Sequence, residues 1–156
     1  PQGQIGTFAL PEAQLDRFLM SLSMGYPDRK SEADILLGKN KRELLNGMDS
    51  CLTIEQLLAF QKQVKEVHVS ENLVEYVLNI LEHTRQSGWF EVGLSTRAAQ
   101  SLIKAAQAWA FIRGDNKVLP ADIKAVLIPV AAHRLPGLRE SVVKKLEETI
   151  ENVRLP

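Results

Sequence analysis

Apolar residues recur every three or four positions along most of the chain after residue 53. This spacing places them on one face of an α-helix, so it predicts a series of amphipathic helices. The helix predicted at about residues 96–113 differs, because nearly all of its positions are apolar, as is typical of the central helix of a bundle. The other predicted helices begin after Thr53 or cover about residues 70–86, 120–133 and 139–152.

Side chains that can cap helices stand where these patterns begin. Ser70 and Ser95 can each accept a hydrogen bond from a backbone N–H one turn into the following helix. Thr53 and Gln56 have the spacing of a capping box, in which each side chain bonds the backbone of the other residue. Gly114 is placed to end the central helix. Local signals therefore predict most of the helix boundaries.

The first third of the chain has a weaker pattern. Pro11 suits the first position of a short helix at about residues 11–18, and Ser31 can cap a helix that ends near residue 37. Between them, residues 19–26 alternate between two faces, as in a β-strand. A single strand leaves its backbone N–H and C=O groups without partners. It therefore requires either a partner chain or a sheet that is not part of this sequence.

Composition narrows the range of partners. Apolar residues make up 45% and charged residues 24% of the 156 positions, which is ordinary for a soluble globular protein. Lysine plus arginine equals aspartate plus glutamate at 19 each, so charge gives no attraction to nucleic acid or to an anionic membrane. No apolar run reaches the length of a membrane span. Cys51 is the sole cysteine, which excludes an intrachain disulfide and fits a reducing, cytoplasmic setting.

Motifs for catalysis are missing from this sequence. Gly38 begins a Gly-Lys pair, but Asn40 follows it instead of the Ser or Thr of a phosphate-binding loop. His68, His83 and His133 lie far apart and have no cluster of cysteine or acidic residues at ligand spacing, so no metal site is expected. No pair of acidic residues is placed for acid–base chemistry. The chain by itself is therefore expected to catalyse no reaction.

Arg97 lies in the first turn of the central predicted helix. A cation there faces the positive end of the helix dipole, which costs about 0.3–1 kcal/mol. A helix N-terminus together with a guanidinium is, however, a favourable place for a phosphate group. The local sequence leaves two interpretations open, a solvated surface arginine and a contact to a nucleotide phosphate.

Three stretches resemble one family, in the order in which the family has them. Residues 6–18, Gly-Thr-Phe-Ala-Leu-Pro-Glu-Ala-Gln-Leu-Asp-Arg-Phe, closely resemble the signature Gly-Thr-(Tyr/Phe)-x-Leu-Pro-Glu-Ala-Gln-Leu-Asp-Arg-Phe of the MoxR-type AAA+ ATPases. Residues 93–98, Gly-Leu-Ser-Thr-Arg-Ala, resemble the family's sensor 2 motif, usually Gly-Ala-Ser-Pro-Arg-Ala. Residues 113–135 are similar to its lid sequence, which ends at His-Arg-Leu. The resemblance covers nearly the whole chain.

The resemblance implies an all-α fold class, a helical bundle preceded by a short helix–strand remnant. Residues 28–156 would form the helical lid with sensor 2, and residues 1–27 would be the remnant of the α/β ATPase core that carries the arginine finger. Pro1 would fall just after the family's sensor 1 asparagine, so both Walker motifs and the sheet would lie upstream of this sequence. The missing sheet would explain the lone strand.

The resemblance also implies which residues meet the nucleotide. Arg17 matches the arginine finger, which one subunit offers to ATP bound on its neighbour and which offsets charge on the transferred phosphoryl group. Arg97 matches the sensor 2 arginine, which contacts phosphate and couples it to the lid angle. Ser95 of the same motif is expected to help to bind the nucleotide. The alternative for Arg17 is a structural arginine paired with an acid such as Asp16.

Two positions depart from the family's pattern. Thr96 replaces the usual Pro at the first helical position, with little expected effect. Leu119 stands where the family has a Thr cap before Pro120, so this helix is expected to lose a side-chain cap worth about 1 kcal/mol. Neither change touches Arg17 or Arg97.

By the same resemblance, the parent protein hydrolyses ATP with Mg²⁺ as a homo-oligomeric ring, expected to be a hexamer. It would remodel or activate an unidentified client protein in a chaperone-like role. The present chain is expected to bind ATP weakly and not to hydrolyse it, because it lacks the Walker motifs. We expect no nucleic-acid partner and no membrane span. The alternative is a freestanding helical protein-interaction module with no nucleotide role.

Overall fold

The computed structural model describes residues 10–38 and 47–155. Within these ranges the regular elements are helices, which confirms the predicted all-α fold class. Residues 6–9 of the first signature and Asn40 lie outside the described residues. The helices are α1 (Glu12–Leu15), α2 (Arg29–Leu36), α3 (Ile54–Glu66), α4 (Glu71–Gln86), α5 (Thr96–Ile112), α6 (Pro120–Ala131) and α7 (Arg139–Asn152), and a 3-10 turn (Ala132–Arg134) follows α6.

The chain divides into two compact units. One consists of residues 22–61, and the other consists of residues 1–21 together with residues 62–156. The larger unit contains α1 and α4 to α7, and Arg17, Ser95 and Arg97 all lie in it. The domain boundary between residues 27 and 28 stays a prediction.

The core of the larger unit is built from α4, α5, α6 and α7. Each helix contributes a large side chain that is almost fully buried: Ile80, Leu102, Leu127 and Leu146. Full burial of such an aliphatic side chain is worth about 1.5–3 kcal/mol. The most extensive helix contact is between α5 and α6, because the buried face of α5 consists largely of small residues that let the backbones approach closely. These residues are Ala98, Ala105, Ala106 and Ala110.

The burial of α5 is incomplete, although its apolar sequence suggested burial by neighbours along its whole length. Leu102 is 1% exposed, whereas Trp109 is 46% exposed and Ile112 is 77% exposed. Trp109 follows Leu102, and Ile112 follows the buried Ala105, by seven positions, which is about two turns, so each pair lies on nearly the same face of the helix. Trp109 and Ile112 are in the last turn of α5, so apolar surface remains at the C-terminal end of this helix.

Most predicted helix ends are confirmed. Ser70 and Ser95 each accept a hydrogen bond from the N–H three residues on, at 3.2 and 3.1 Å. Thr53 and Gln56 form the reciprocal capping box of α3, with bonds of 3.2 and 2.9 Å. Gly114 follows α5 with φ of 86°, a left-handed conformation that favours glycine.

The start of α6 replaces the missing cap with a carboxylate. Leu119 provides no side-chain cap, as predicted. Asp122 accepts the backbone N–H of Leu119 at 2.7 Å and pairs with Arg113 at 3.2 Å. Asp122 is fully buried, and a buried carboxylate requires partners of this kind. The start of α6 thus keeps the half of a capping box in which Asp122 bonds the backbone of Leu119. The other half, a side-chain cap at position 119, is missing.

Residues 19–26 form no strand, so this prediction is wrong. Alternation of apolar residues makes a strand only where another strand bonds its backbone, and no such strand is present among residues 10–38 and 47–155. The N–H of Ser21 instead donates to the carbonyl of Pro129, in α6, at 2.8 Å. The apolar residues that alternate here stay exposed, with Leu22 at 70% and Met24 at 95%.

Two helices of the first third have other boundaries than predicted. α1 ends at Leu15, three residues early, and Pro11 is its N-cap rather than its first helical residue. α2 begins after Asp28, whose carboxylate accepts the N–H of Ser31 at 2.8 Å. Aspartate and serine cap helices about equally well, so the local sequence could not choose between Asp28 and Ser31.

Candidate functional site

Asp16 links the end of α1 to the start of α5. Its Oδ1 atom accepts a hydrogen bond from Ser95 Oγ at 2.8 Å and another from Arg134 Nε at 3.1 Å. Ser95 is the N-cap of α5, so the carboxylate lies beside the positive end of that helix, where negative charge is favoured. The turn after α1 is thereby fastened to the first turn of the central helix.

Arg134 is the most buried arginine of this region, with a side chain that is 3% exposed. It donates to the backbone carbonyls of Asp16 at 3.2 Å, Phe18 at 2.6 Å and Leu19 at 3.3 Å. It also donates to Ser101 Oγ, on α5, at 3.2 Å. The five N–H groups of a guanidinium can serve several acceptors at once. The Arg134 side chain therefore joins residues 16–19, α5 and the 3-10 turn, and a further bond goes to the carbonyl of Val130.

Asp16 stabilises the positive charge of Arg134, which burial by itself disfavours. Burial lowers the pKa of Arg134 from its usual value, and the charge and hydrogen bond of Asp16 act in the opposite direction. The positive charge of Arg97 lowers the same pKa further. Arg97 is thus close enough to Arg134 for the two cations to repel each other, and Asp16 is the anion that offsets this repulsion.

His133 adds a second bond to the same segment. Its Nε2 atom lies 3.1 Å from the carbonyl oxygen of Phe18. A carbonyl can only accept, so Nε2 carries the proton in this bond. The other ring nitrogen, Nδ1, is buried without a hydrogen-bond partner among the described residues. The imidazole is therefore a positioning group for residue 18.

Arg17 and Arg97 are both exposed. In the described part of the chain, neither guanidinium takes part in a hydrogen bond or an ion pair. The acid next to Arg17, Asp16, is bonded to Arg134 instead. The structural alternative for Arg17, a pair with Asp16, is therefore not what the structure contains.

Ser95 caps α5, as the sequence predicts, and it also bonds Asp16. Its hydroxyl accepts the N–H of Ala98 at 3.1 Å and donates to Asp16 at 2.8 Å. The hydroxyl proton is committed to Asp16, so only an oxygen lone pair would be left for another donor. The binding of nucleotide by Ser95 stays a prediction.

The remaining candidate groups form no second site within the described ranges. His83 packs edge-on against Trp89, with ring centroids 4.9 Å apart, and Cys51 is exposed. The described residues contain no group of three or more His, Cys, Asp or Glu side chains that could hold a metal ion. Among the same residues, no helix is long and apolar enough to cross a membrane.

Sequence reasoning missed the contribution of Arg134 and the bond between Asp16 and Ser95. Arg134 lies in the His-Arg-Leu end of the third matching stretch, and Asp16 lies beside the predicted finger. Their positions in two separate motifs were the only signal that the sequence held for their pairing. Because Asp16 and Arg134 lie 118 positions apart, no pattern within a short stretch of sequence could predict their contact.

Relatives with a similar sequence are found among known proteins. The AAA lid domain family matches residues 82–153, from the end of α4 through α7. Over 83% of its length, the chain is 33% identical to chaperone MoxR1 of Mycobacterium tuberculosis and 30% identical to protein MoxR of Paracoccus denitrificans. The chain belongs to the MoxR-type AAA+ ATPases. Its α4–α7 bundle is the AAA lid of that family.

A solved structure supports the same MoxR-type lid. A candidate ATPase from Cytophaga hutchinsonii matches 100% of this chain and 52% of its own, with a TM-score of 0.84 and 28% sequence identity. The uncharacterized protein YeaC of Bacillus subtilis is 36% identical over 83% of this chain. The chain spans 41% of YeaC, 36% of MoxR1 and 44% of the Paracoccus MoxR.

Proposed function

We propose that this chain is the nucleotide-sensing lid portion of a MoxR-type ATPase that works as a ring. Arg97 binds a phosphate of ATP beside its own lid, and Arg17 reaches the ATP of the neighbouring subunit. One observation carries the proposal. Both guanidinium groups are exposed and lack ion pairs within the described residues, while the adjacent acid is engaged by Arg134.

The placement of Arg97 favours an anionic ligand. It lies in the first turn of α5, where unpaired backbone N–H groups and the helix dipole already attract negative charge. Without a ligand, its cation is unfavourable on two counts, the dipole and the repulsion with Arg134. A phosphate at this position would offset both effects.

The placement of Arg17 suits a residue that acts on another subunit. Its backbone is fixed on both sides by bonds from Arg134 to the carbonyls of Asp16 and Phe18. The side chain itself is exposed and points to no partner among the described residues. A guanidinium on a rigid backbone can stabilise developing charge without reorganising during the reaction.

The cofactors and partners follow from the family. The intact protein would use ATP with Mg²⁺, and the ring would be a homo-oligomer, expected to be a hexamer. One relative is named a chaperone, so we propose that lid movement remodels or activates a client protein. The cytoplasmic setting belongs to the same proposal.

The test uses the whole natural protein that contains this chain. Arg17→Ala should lower ATP turnover at least 100-fold, in the manner of an arginine finger, with little change in ATP affinity. Arg97→Ala should weaken ATP binding about tenfold or more, because it removes a charge-assisted bond to phosphate. Arg29→Ala is a matched control, because Arg29 is also an exposed arginine in the first turn of a helix.

Mixing the two variants tests whether Arg17 acts across a boundary. A ring that contains both Arg17→Ala and Arg97→Ala subunits has some sites at which an intact finger faces an intact Arg97. Turnover should therefore recover on mixing. Turnover and affinity that match the Arg29→Ala control in both single variants would contradict the proposed function.

The alternative function, a helical interaction module, is supported by a different feature. Val74, Leu78, Ala99 and Ile103 line an apolar groove of about 430 Å³ between α4 and α5. Val74 and Leu78 are 43% and 49% exposed, and exposed apolar grooves of this kind bind proteins. This alternative predicts that alanine at Arg17 and at Arg97 changes no ATP-dependent property.

A further inference from the structure

We propose that Asp16, Ser95 and Arg134 form a latch that positions both nucleotide-facing arginines at once. The three residues are positioning residues, and they act through Arg17 and Arg97. This inference rests on the proposed function, since it concerns how that site is held together. The latch is defined by the bonds of Asp16 Oδ1 to Ser95 Oγ and to Arg134 Nε.

The direction of each proton in the latch is determined. The N–H of Ala98 can only donate, so Ser95 Oγ accepts there and its own hydrogen must go elsewhere. That hydrogen goes to Asp16 Oδ1, which also receives the Nε–H of Arg134. One of these two donors belongs to the guanidinium of Arg134, so this bond is a charge-assisted one. The cap of α5 and the ion pair therefore depend on the same charged oxygen.

The latch reaches Arg17 through its two neighbours in the sequence. Nη2 of Arg134 bonds the carbonyl of Asp16 and the carbonyl of Phe18, the residues before and after Arg17. One buried side chain thus bonds a backbone carbonyl on each side of the exposed arginine. A shift of Arg134 would move the backbone from which Arg17 extends.

The latch reaches Arg97 through the helix start. Arg97 is two residues beyond the N-cap Ser95, and Ser101, one turn further along α5, also bonds Arg134. The first two turns of α5 are therefore tied to the same guanidinium. The latch therefore fixes the backbone near both Arg17 and Arg97, although the two arginines lie 80 positions apart in the sequence.

Ligand binding at Arg97 should strengthen the latch. The cation of Arg97 opposes the charge of Arg134, so a phosphate on Arg97 would remove this opposition. By linkage, an intact latch then favours phosphate binding by the same factor. ATP at the lid would in this way stabilise the position of the finger that serves the neighbouring subunit.

The test uses Asp16→Asn and Arg134→Lys in the whole natural protein. Asparagine removes the charge but keeps the shape, and lysine keeps the charge but lacks the fork that serves several acceptors. Both variants should lower kcat by between about tenfold and 100-fold, because they displace a positioned group. Asp16→Asn should also weaken ATP binding.

Asp122→Asn is the matched control. Asp122 is likewise a carboxylate that bonds an N-cap N–H and an arginine, but it lies at the start of α6 and touches neither latch nor finger. This variant should lower the melting temperature and leave kcat and KM unchanged. If Asp16→Asn and Arg134→Lys likewise lowered only the melting temperature and left kcat and KM unchanged, the latch would have only a structural effect. That result would overturn the inference.

A double variant separates positioning from general stability. If the latch acts on ATP binding through Arg97, adding Asp16→Asn to Arg97→Ala should weaken ATP binding no further. Additive losses of affinity would overturn the inference. If Arg17→Ala and Arg97→Ala themselves have no effect, the proposed function has failed. If those two lose activity and the latch variants do not, only the latch has failed.

Discussion

Asp16 and Ser95 share a 2.8 Å hydrogen bond although they lie 79 positions apart in the sequence. The bond joins the turn after α1 to the N-cap of α5, and so connects the segment that carries Arg17 with the helix that carries Arg97. Ser70 caps α4 with a similar bond to the N–H three residues on, but within residues 10–38 and 47–155 no other side chain is bonded to its hydroxyl. The two serines therefore differ in one interaction, and this difference can be measured.

Ser95→Ala should destabilise the chain more than Ser70→Ala does. Loss of an N-cap hydroxyl costs about 1 kcal/mol in each case. Ser95→Ala also removes the bond to Asp16, which adds about 0.5–1.5 kcal/mol. Urea unfolding measures both values. Equal losses in the two variants would show that the Asp16 bond adds nothing to stability.

Leu119→Thr should stabilise α6. Threonine would supply the side-chain cap that this helix start lacks, which is worth about 0.5–1 kcal/mol. Leu119→Ala is the control, because it removes the partly exposed leucine and adds no cap. The threonine variant should melt at a higher temperature than the alanine variant. The same melting temperature in both would mean that the Asp122 carboxylate already satisfies this helix end.

Tyr76→Phe should be stabilising or neutral. The hydroxyl of Tyr76 is buried and has no hydrogen-bond partner among the described residues, and such a group costs about 1–3 kcal/mol. Tyr26→Phe, at a residue that is 96% exposed, is the matched control and should change nothing. A loss of more than about 1 kcal/mol in Tyr76→Phe would reveal a partner for the hydroxyl.

Tyr76 also gives an alkaline dependence with a defined sign. Burial raises the pKa of Tyr76 above its usual value near 10. Above that pH the unfolded chain loses the proton while the folded chain keeps it, so stability falls as the pH rises. Tyr76→Phe should lack this part of the decline when unfolding is compared at about pH 8 and pH 10.5.

Predictions from local sequence were confirmed where the stabilising interaction lies within a single helix. Ser70, Ser95 and the pair of Thr53 and Gln56 cap the helices that their spacing predicts, because a cap bond spans only three residues. The same reasoning failed for residues 19–26, because a strand is defined by its partner. It also failed to choose Asp28 over Ser31, because both side chains are good caps.

The sequence by itself determined the family and most of the helices, and it singled out Arg17 and Arg97 as candidates, since periodic apolar residues, capping side chains and matching motifs are all properties of short stretches. Only the tertiary structure decided that Asp16 pairs with Arg134 rather than with Arg17, and that Ser95 donates to Asp16. The reason is physical. Packing brings residues from distant parts of the sequence into contact, and a buried guanidinium bonds the acceptors that then surround it. No pattern within a short stretch of sequence predicts which acceptors these are.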